Sequence, residues 1–123
     1  MVRQVHTDKN RQTYYFWSSS TERILGPPLL HVSCEPAVGD IFVHEVEGHG
    51  LQVWVLDVVA QQVLWECVYR LDARRHPEDV TLFLSFPSPT PNSPVSKRAP
   101  TWVKESTAKQ HKPHLPNILI SRD

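Results

Sequence analysis

No apolar run in this chain of 123 residues approaches the ~20 residues that a membrane-spanning helix requires. Two cysteines, Cys34 and Cys67, are too few for a disulfide framework. Each sits in an apolar run, where a free, buried thiol is the expected state. With only four glycines the chain holds no phosphate-cradling glycine loop, and neither a G-x-S-x-G elbow nor a C-x-x-C pair occurs. The formal net charge is zero, whereas a protein held to nucleic acid by charge alone is strongly basic. The first ten residues, MVRQVHTDKN, lack the apolar core of a signal peptide. These absences lead to the expectation of a soluble protein, made and kept inside a cell, with no membrane partner and no nucleotide-binding loop.

Proline is present, but unevenly. Four of the eleven prolines fall in residues 1–86 and seven in residues 87–123, while all four glycines lie in the first part. Charge divides at the same place. Lys97, Arg98, Lys104, Lys109, Lys112 and Arg122 against Glu105 and Asp123 give the last 37 residues +4, leaving −4 on the first 86. The expected organisation is a β-rich globular domain over residues 1–86 and a proline-rich basic tail over residues 87–123. Closely spaced prolines from Pro87 to Pro94 exclude helix and favour an extended backbone. Thr101-Trp102-Val103 and Asn117-Ile118-Leu119-Ile120 stand in the tail as apolar islands suited to docking.

Within the body, Val2–Thr7 and Gln12–Trp17 flank the turn-forming Asp8-Lys9-Asn10, which is a hairpin signal. Leu29–Cys34 is a short apolar run. Ile41–Glu47 and Leu51–Val59 alternate on either side of Gly48-His49-Gly50, the best-formed hairpin pattern in the chain. Val63–Leu71 and Val80–Phe86 read as further strands. Leu51–Leu71 is rich in valine, which favours strand over helix, and no segment shows a convincing helical period. The expected fold is mainly β: a small antiparallel β-barrel or sandwich of five to seven strands with an extended C-terminal tail.

Three constellations carry candidate chemistry. His44-Glu45-Val46-Glu47-Gly48-His49 brings two imidazoles and two carboxylates together. Locally HEVEGHG resembles the H-E-x-x-x-H stretch of the TldD-type metallopeptidases, a resemblance of about seven residues. It implies His44 and His49 as metal ligands and Glu45 as general base; no third ligand is indicated, His31, Cys34 and His76 being the residues that could stand near. Those enzymes carry the motif on a helix, whereas the flanks here read as a hairpin, and the alternative is a pair of solvated histidines. Tyr14, Tyr15, Phe16 and Trp17 run consecutively, so a strand must send two rings to each face. Trp54 and Trp65 lie on neighbouring predicted strands. Such rings either fill a core or offer stacking platforms. Val38-Gly39-Asp40-Ile41-Phe42 with its returning strand resembles, over about twenty residues, the PUA-like barrels and their ASCH and EVE relatives. That resemblance implies an RNA or modified-base reader using the aromatics together with Arg74 and Arg75. The tail adds Lys97-Arg98, Trp102 and the proline-flanked segment Lys112-Pro113-His114-Leu115-Pro116, followed by Ile118, as recognition segments.

The leading functional expectation is therefore a non-catalytic binding or adaptor module without cofactor. Its partner would be another protein, or a second copy reached through the tail. Its candidate contacts are Tyr14, Tyr15, Trp17, Trp54, Arg74, Arg75, Lys97, Arg98, Trp102, Pro113, Leu115 and Ile118. The alternatives are a reader of RNA or single-stranded DNA and a metal-dependent hydrolase centred on His44, Glu45 and His49. Between body and tail, residues 87–123 are the expected carrier of function and the body its scaffold.

Overall fold

The computed structural model describes residues 2–8, 11–27, 37–86 and 100–119. Strands β1 (Val2–Asp8) and β2 (Arg11–Ser20) pair as an antiparallel hairpin with Val5 opposite Tyr14. The β-formers QTYYFW fill β2, as their branched and aromatic side chains favour. Strand β3 (Ile41–Val46) joins β2 in parallel, Phe16 opposite Phe42. A parallel pair needs a crossover rather than a tight turn, and the separation in sequence between Ser20 and Ile41 leaves room for one. Strand β4 (Gly50–Val59) returns antiparallel to β3, and β5 (Gln62–Cys67) returns antiparallel to β4. The large sheet thus has the order β1-β2-β3-β4-β5. Strands β6 (Leu82–Ser85) and β7 (Thr101–Lys104) form a second, two-stranded sheet.

Among the described residues the strands make two open sheets and no closed barrel. Closure would require the outer strands of the large sheet to meet. The parallel pairing instead leaves β1 and β5 at opposite edges, and the β6–β7 pair joins the core over one face.

Alternation assigns each residue of the large sheet to a face. Tyr15, Ile41, Val43, Leu51, Val53 and Val55 point to the first face, where Val68, Leu71, Leu84, Phe86 and Trp102 complete one buried cluster shared by both sheets. Phe16, Phe42 and Trp54 point to the second face and form a smaller cluster with Ile24, Trp65 and Cys67. The rings meet edge to face: Phe16–Trp65 at 6.1 Å, Phe42–Trp54 at 5.6 Å and Phe42–Trp65 at 6.1 Å between centroids. Such pairs add about 0.5–1.5 kcal/mol beyond their burial.

The described part of the C-terminal third, residues 100–119, lies against the body. Trp102 is buried, opposite Leu84 in the β6–β7 pair. Its indole Nε1–H donates to the Gly39 carbonyl at 2.8 Å. Gly39 has φ +95°, and a Cβ there would collide with the His76 ring. That ring in turn meets Trp102 edge to face at 4.8 Å. Leu115 and Ile118 pack onto the first cluster. Residues 117–119 also extend the sheet beside β4: Leu51 N–H donates to Asn117 O at 2.8 Å and Leu119 N–H to Leu51 O at 2.7 Å. Gly50 permits this approach, since a Cβ would stand 2.5 Å from Asn117 O.

A short helix, α1 (Glu105–His111), follows β7. Its sequence ESTAKQH has no apolar stripe and the helix buries no residue fully, so hydrophobic periodicity carries no trace of it. Glu105 and Lys109 stand 3.6 Å apart one turn along, in the orientation that suits the helix dipole. Leu29–Cys34, Pro87–Pro94 and Lys97-Arg98 lie outside the described residues.

Trp102→Phe keeps a ring in the core and strips the buried Gly39 carbonyl of its donor. Urea denaturation is expected to show a loss of about 1–3 kcal/mol with an unchanged m-value.

Candidate functional site

His44 is 2% exposed, on the second face of β3. Its Nε2 lies 2.9 Å from the Glu22 carbonyl, which can only accept, so Nε2 carries the hydrogen. Nδ1 is then the acceptor for the Ser18 hydroxyl at 2.8 Å. Ser20 Oγ stands 3.0 Å from Nε2 and itself donates to Glu22 O at 2.7 Å. Directly opposite on β4, the buried Gln52 amide accepts from Ile24 N–H and donates to Ile24 O, both at 2.9 Å. Together His44 and Gln52 hold residues 22–24 across the second face, and Ile24 closes the aromatic cluster beneath. A hydroxyl beside an oriented imidazole has the parts of a nucleophile–base pair. Here Nε2 is committed to the strap of residues 22–24, Nδ1 to Ser18 of β2, and the ring itself is buried.

His49 is exposed in the β3–β4 turn, and its carbonyl accepts from Asn117 Nδ2 at 2.9 Å. His76 lies under Trp102, with Nδ1 accepting from Glu78 N–H at 3.0 Å. Among the described residues no three His, Cys, Asp or Glu side chains gather as a metal-holding group. A concavity of about 410 Å³ opens at the β3–β4 turn, lined by Thr21, Arg23, Val46, His49, Asn117 and Leu119.

The other residues singled out from the sequence are dispersed. Tyr15 and Trp102 are buried in the first cluster and Trp54 in the second. Trp17, Leu115 and Ile118 are half-buried against the first cluster, Tyr14 is half-buried, and Pro113 is exposed. Arg75 is exposed, with its guanidinium 4.8 Å over the Phe83 ring and Nη1 donating to Val80 O at 2.9 Å.

The end of the β4–β5 hairpin presents a surface of another kind. Strand β3 pairs with β4 only as far as Val55, so residues 57–64 project as a two-stranded arm. The arm exposes apolar side chains on both faces: Val58 50% and Val63 60% on one, Val59 40% and Leu64 36% beside Asp57 and Gln62 on the other. Ala60 and Gln61 form its turn with φ 51° and 67°. Both belong to a type I′ turn, which matches the strand twist but suits Asn-Gly far better than Ala-Gln.

The register settles which main-chain groups of β5 face outward. A two-residue turn makes Val59 and Gln62 the hydrogen-bonded closing pair. Alternation then turns Leu64 and Glu66 toward β4, and Val63, Trp65 and Cys67 away from it. The next inward residue obeys the rule, Val68 N–H donating to Val53 O at 2.8 Å. Among the described residues nothing pairs with the outward groups, since β5 is the edge of its sheet. Proteins commonly blunt such edges with lysine or proline. The sequence QVLWEC has neither. Nothing in the alternation of Val63, Trp65 and Cys67 announces this exposure, because the same pattern describes a half-buried strand. The signal was the length mismatch: β4 has ten residues and β3 six.

At the base of the arm Arg74 Nη2 stands 3.0 Å from Asp57 and 3.1 Å from Glu66. The two carboxyls also act on one another's protonation. For Glu66, the bond to Asp57 and then burial raise the pKa above its usual value, against the Arg74 charge. For Asp57, burial is the largest single influence and acts upward. The bonds from Glu66, the Val58 amide and Arg74, with the guanidinium charge, outweigh it and leave Asp57 below its usual value.

Comparison with protein-family models, with curated proteins and with solved structures returns no match.

Ala60→Asn with Gln61→Gly relieves the turn, and thermal or urea unfolding is expected to show a gain of about 1 kcal/mol. Glu66 holds its proton more tightly folded than unfolded, so its contribution is complete below the usual glutamate value and is lost as pH rises through the folded one. Asp57 acts oppositely, contributing above the usual aspartate value and losing that contribution as pH falls through its lowered one. Glu66→Gln, which keeps a donor for Asp57, is therefore expected to abolish the decline in stability above the usual glutamate range in a series of urea titrations across pH.

Proposed function

We propose that the chain is a non-catalytic binding module that takes an extended strand of a protein partner against the outer edge of β5. The observation that supports this most is the pairing of an open, unblunted strand edge with exposed Val58, Val63 and Leu64 on the arm that carries it. In strand addition the main-chain groups of the edge supply affinity and the alternating side chains supply specificity. Val63, Trp65 and Cys67 provide the former; Val63 and Trp65 on one face, with Leu64 on the other, provide the latter. A protein strand suits this edge better than a nucleic acid, because β5 carries Glu66 and no cation to neutralise phosphate. The arm is stiffened at its base by Asp57, Arg74 and Glu66, so little order has to be gained on binding.

Selection from a displayed random-peptide library on the full chain tests the reading. Enriched peptides are expected to alternate apolar and polar residues and to bind Val63→Pro at least tenfold more weakly. That substitution removes an outward N–H while leaving the inward β4 pairing in place. Peptides that bind Val63→Pro as well as wild type would overturn the proposal.

A further inference from the structure

We infer that the strand this edge accepts is β5 of a second copy of the chain. The inference rests on the strand-addition reading and names its partner. For two copies of β5 to pair antiparallel about a two-fold axis normal to the sheet, a residue must face itself at the axis, with flanking residues paired symmetrically. Centring on Leu64 sets Val63 opposite the second copy's Trp65. Both residues turn their main-chain groups outward, so each donates to and accepts from the other, and symmetry repeats the exchange on the far side of the axis. Leu64 meets its counterpart as the closer, non-hydrogen-bonded pair, joining two leucines that are exposed in one copy alone.

Side-chain complementarity favours this register over its neighbours. It places Gln62 opposite the second copy's Glu66, an amide against a carboxyl, and no like charges face one another. Val63 covers the second copy's Trp65, which is half-buried within one chain. Centring on Trp65 instead would set Leu64 against a carboxyl, and centring on Val63 would carry the pairing past Gln62 into the turn at Ala60 and Gln61. The aromatic face of each large sheet would then continue through Trp65 and Val63 into its neighbour.

Sedimentation equilibrium of the full chain in the micromolar range tests the inference. Wild type is expected to be a dimer. Leu64→Lys sets like charges directly opposite across the axis and is expected to raise the dissociation constant about tenfold or more, with an unchanged far-ultraviolet circular dichroism spectrum. In a Cys34→Ser, Cys67→Ser background, Leu64→Cys is expected to form a covalent dimer on oxidation, because facing residues of a non-hydrogen-bonded pair approach within disulfide reach. Gln62→Cys, which faces Glu66 rather than itself, is expected not to. A monomeric wild type, or a dimer that Leu64→Lys leaves intact, would overturn the inference. Peptides selected on a monomeric wild type and lost with Val63→Pro would leave strand addition standing and remove only the second copy. A monomer that selects no peptide would remove both.

Discussion

The hydrogen bond from the Trp102 indole to the Gly39 carbonyl joins residues 63 apart in the sequence and holds the small sheet to the large one. It depends on Gly39 twice over. The positive φ turns the carbonyl toward the indole, and the missing Cβ admits the His76 ring that lines the other side of Trp102. From that point the chain enters β3, whose residues supply both hydrophobic clusters. The first cluster takes members from β2, β3, β4, β6 and β7 together, so each of these strands has its place in a core that the bond helps to close.

The large sheet buries apolar residues on both faces, which is unusual for an antiparallel hairpin with water on one side. Among the described residues no sheet covers its second face. A strap of main chain covers it instead, and a strap brings polar groups that must find partners in the interior. Gln52 meets both groups of Ile24, and His44 meets Glu22 with its hydroxyl neighbours. A buried histidine and a buried glutamine are thus what permit an irregular segment to cover Phe16, Phe42 and Trp54.

Much of this was written in local pattern. The alternation of Ile41–Glu47 and Leu51–Val59 around a glycine-bearing turn specified the β3–β4 hairpin and its register of faces. Gln12–Trp17 specified β2 and the two-sided distribution of its rings. Relations between distant segments carried no such mark. The parallel β2–β3 pair depends on a crossover, and no periodicity within either strand reveals the direction of its neighbour. Helix α1 has neither an apolar stripe nor a side-chain N-cap, so no local signal marks it. The acidic histidine motif drew the eye to His44 and His49 through spacing along the chain. The fold sends one ring into the interior of a strand face and leaves the other on a turn. The arm went unread for a related reason: exposure there results from one strand outrunning its partner, which is a property of two strands and not of either sequence.

Strand β4 is flanked on one side by β5 along its far half and by residues 117–119 near its start. The Asn117–His49 contact spans 68 positions. On a ribosome this separation becomes a delay. When Cys67 emerges, β4 gains its hairpin partner, yet its first residues keep an open edge until a further fifty or so have been made. Through that interval the start of β4 adds one more unpaired edge to those of β1 and β5, and non-local pairings of this kind form slowly. The last described segment therefore acts as a closing seam. It ends the period in which the start of β4 can recruit a foreign strand, and among the described residues leaves β1 and β5 as the edges of the large sheet.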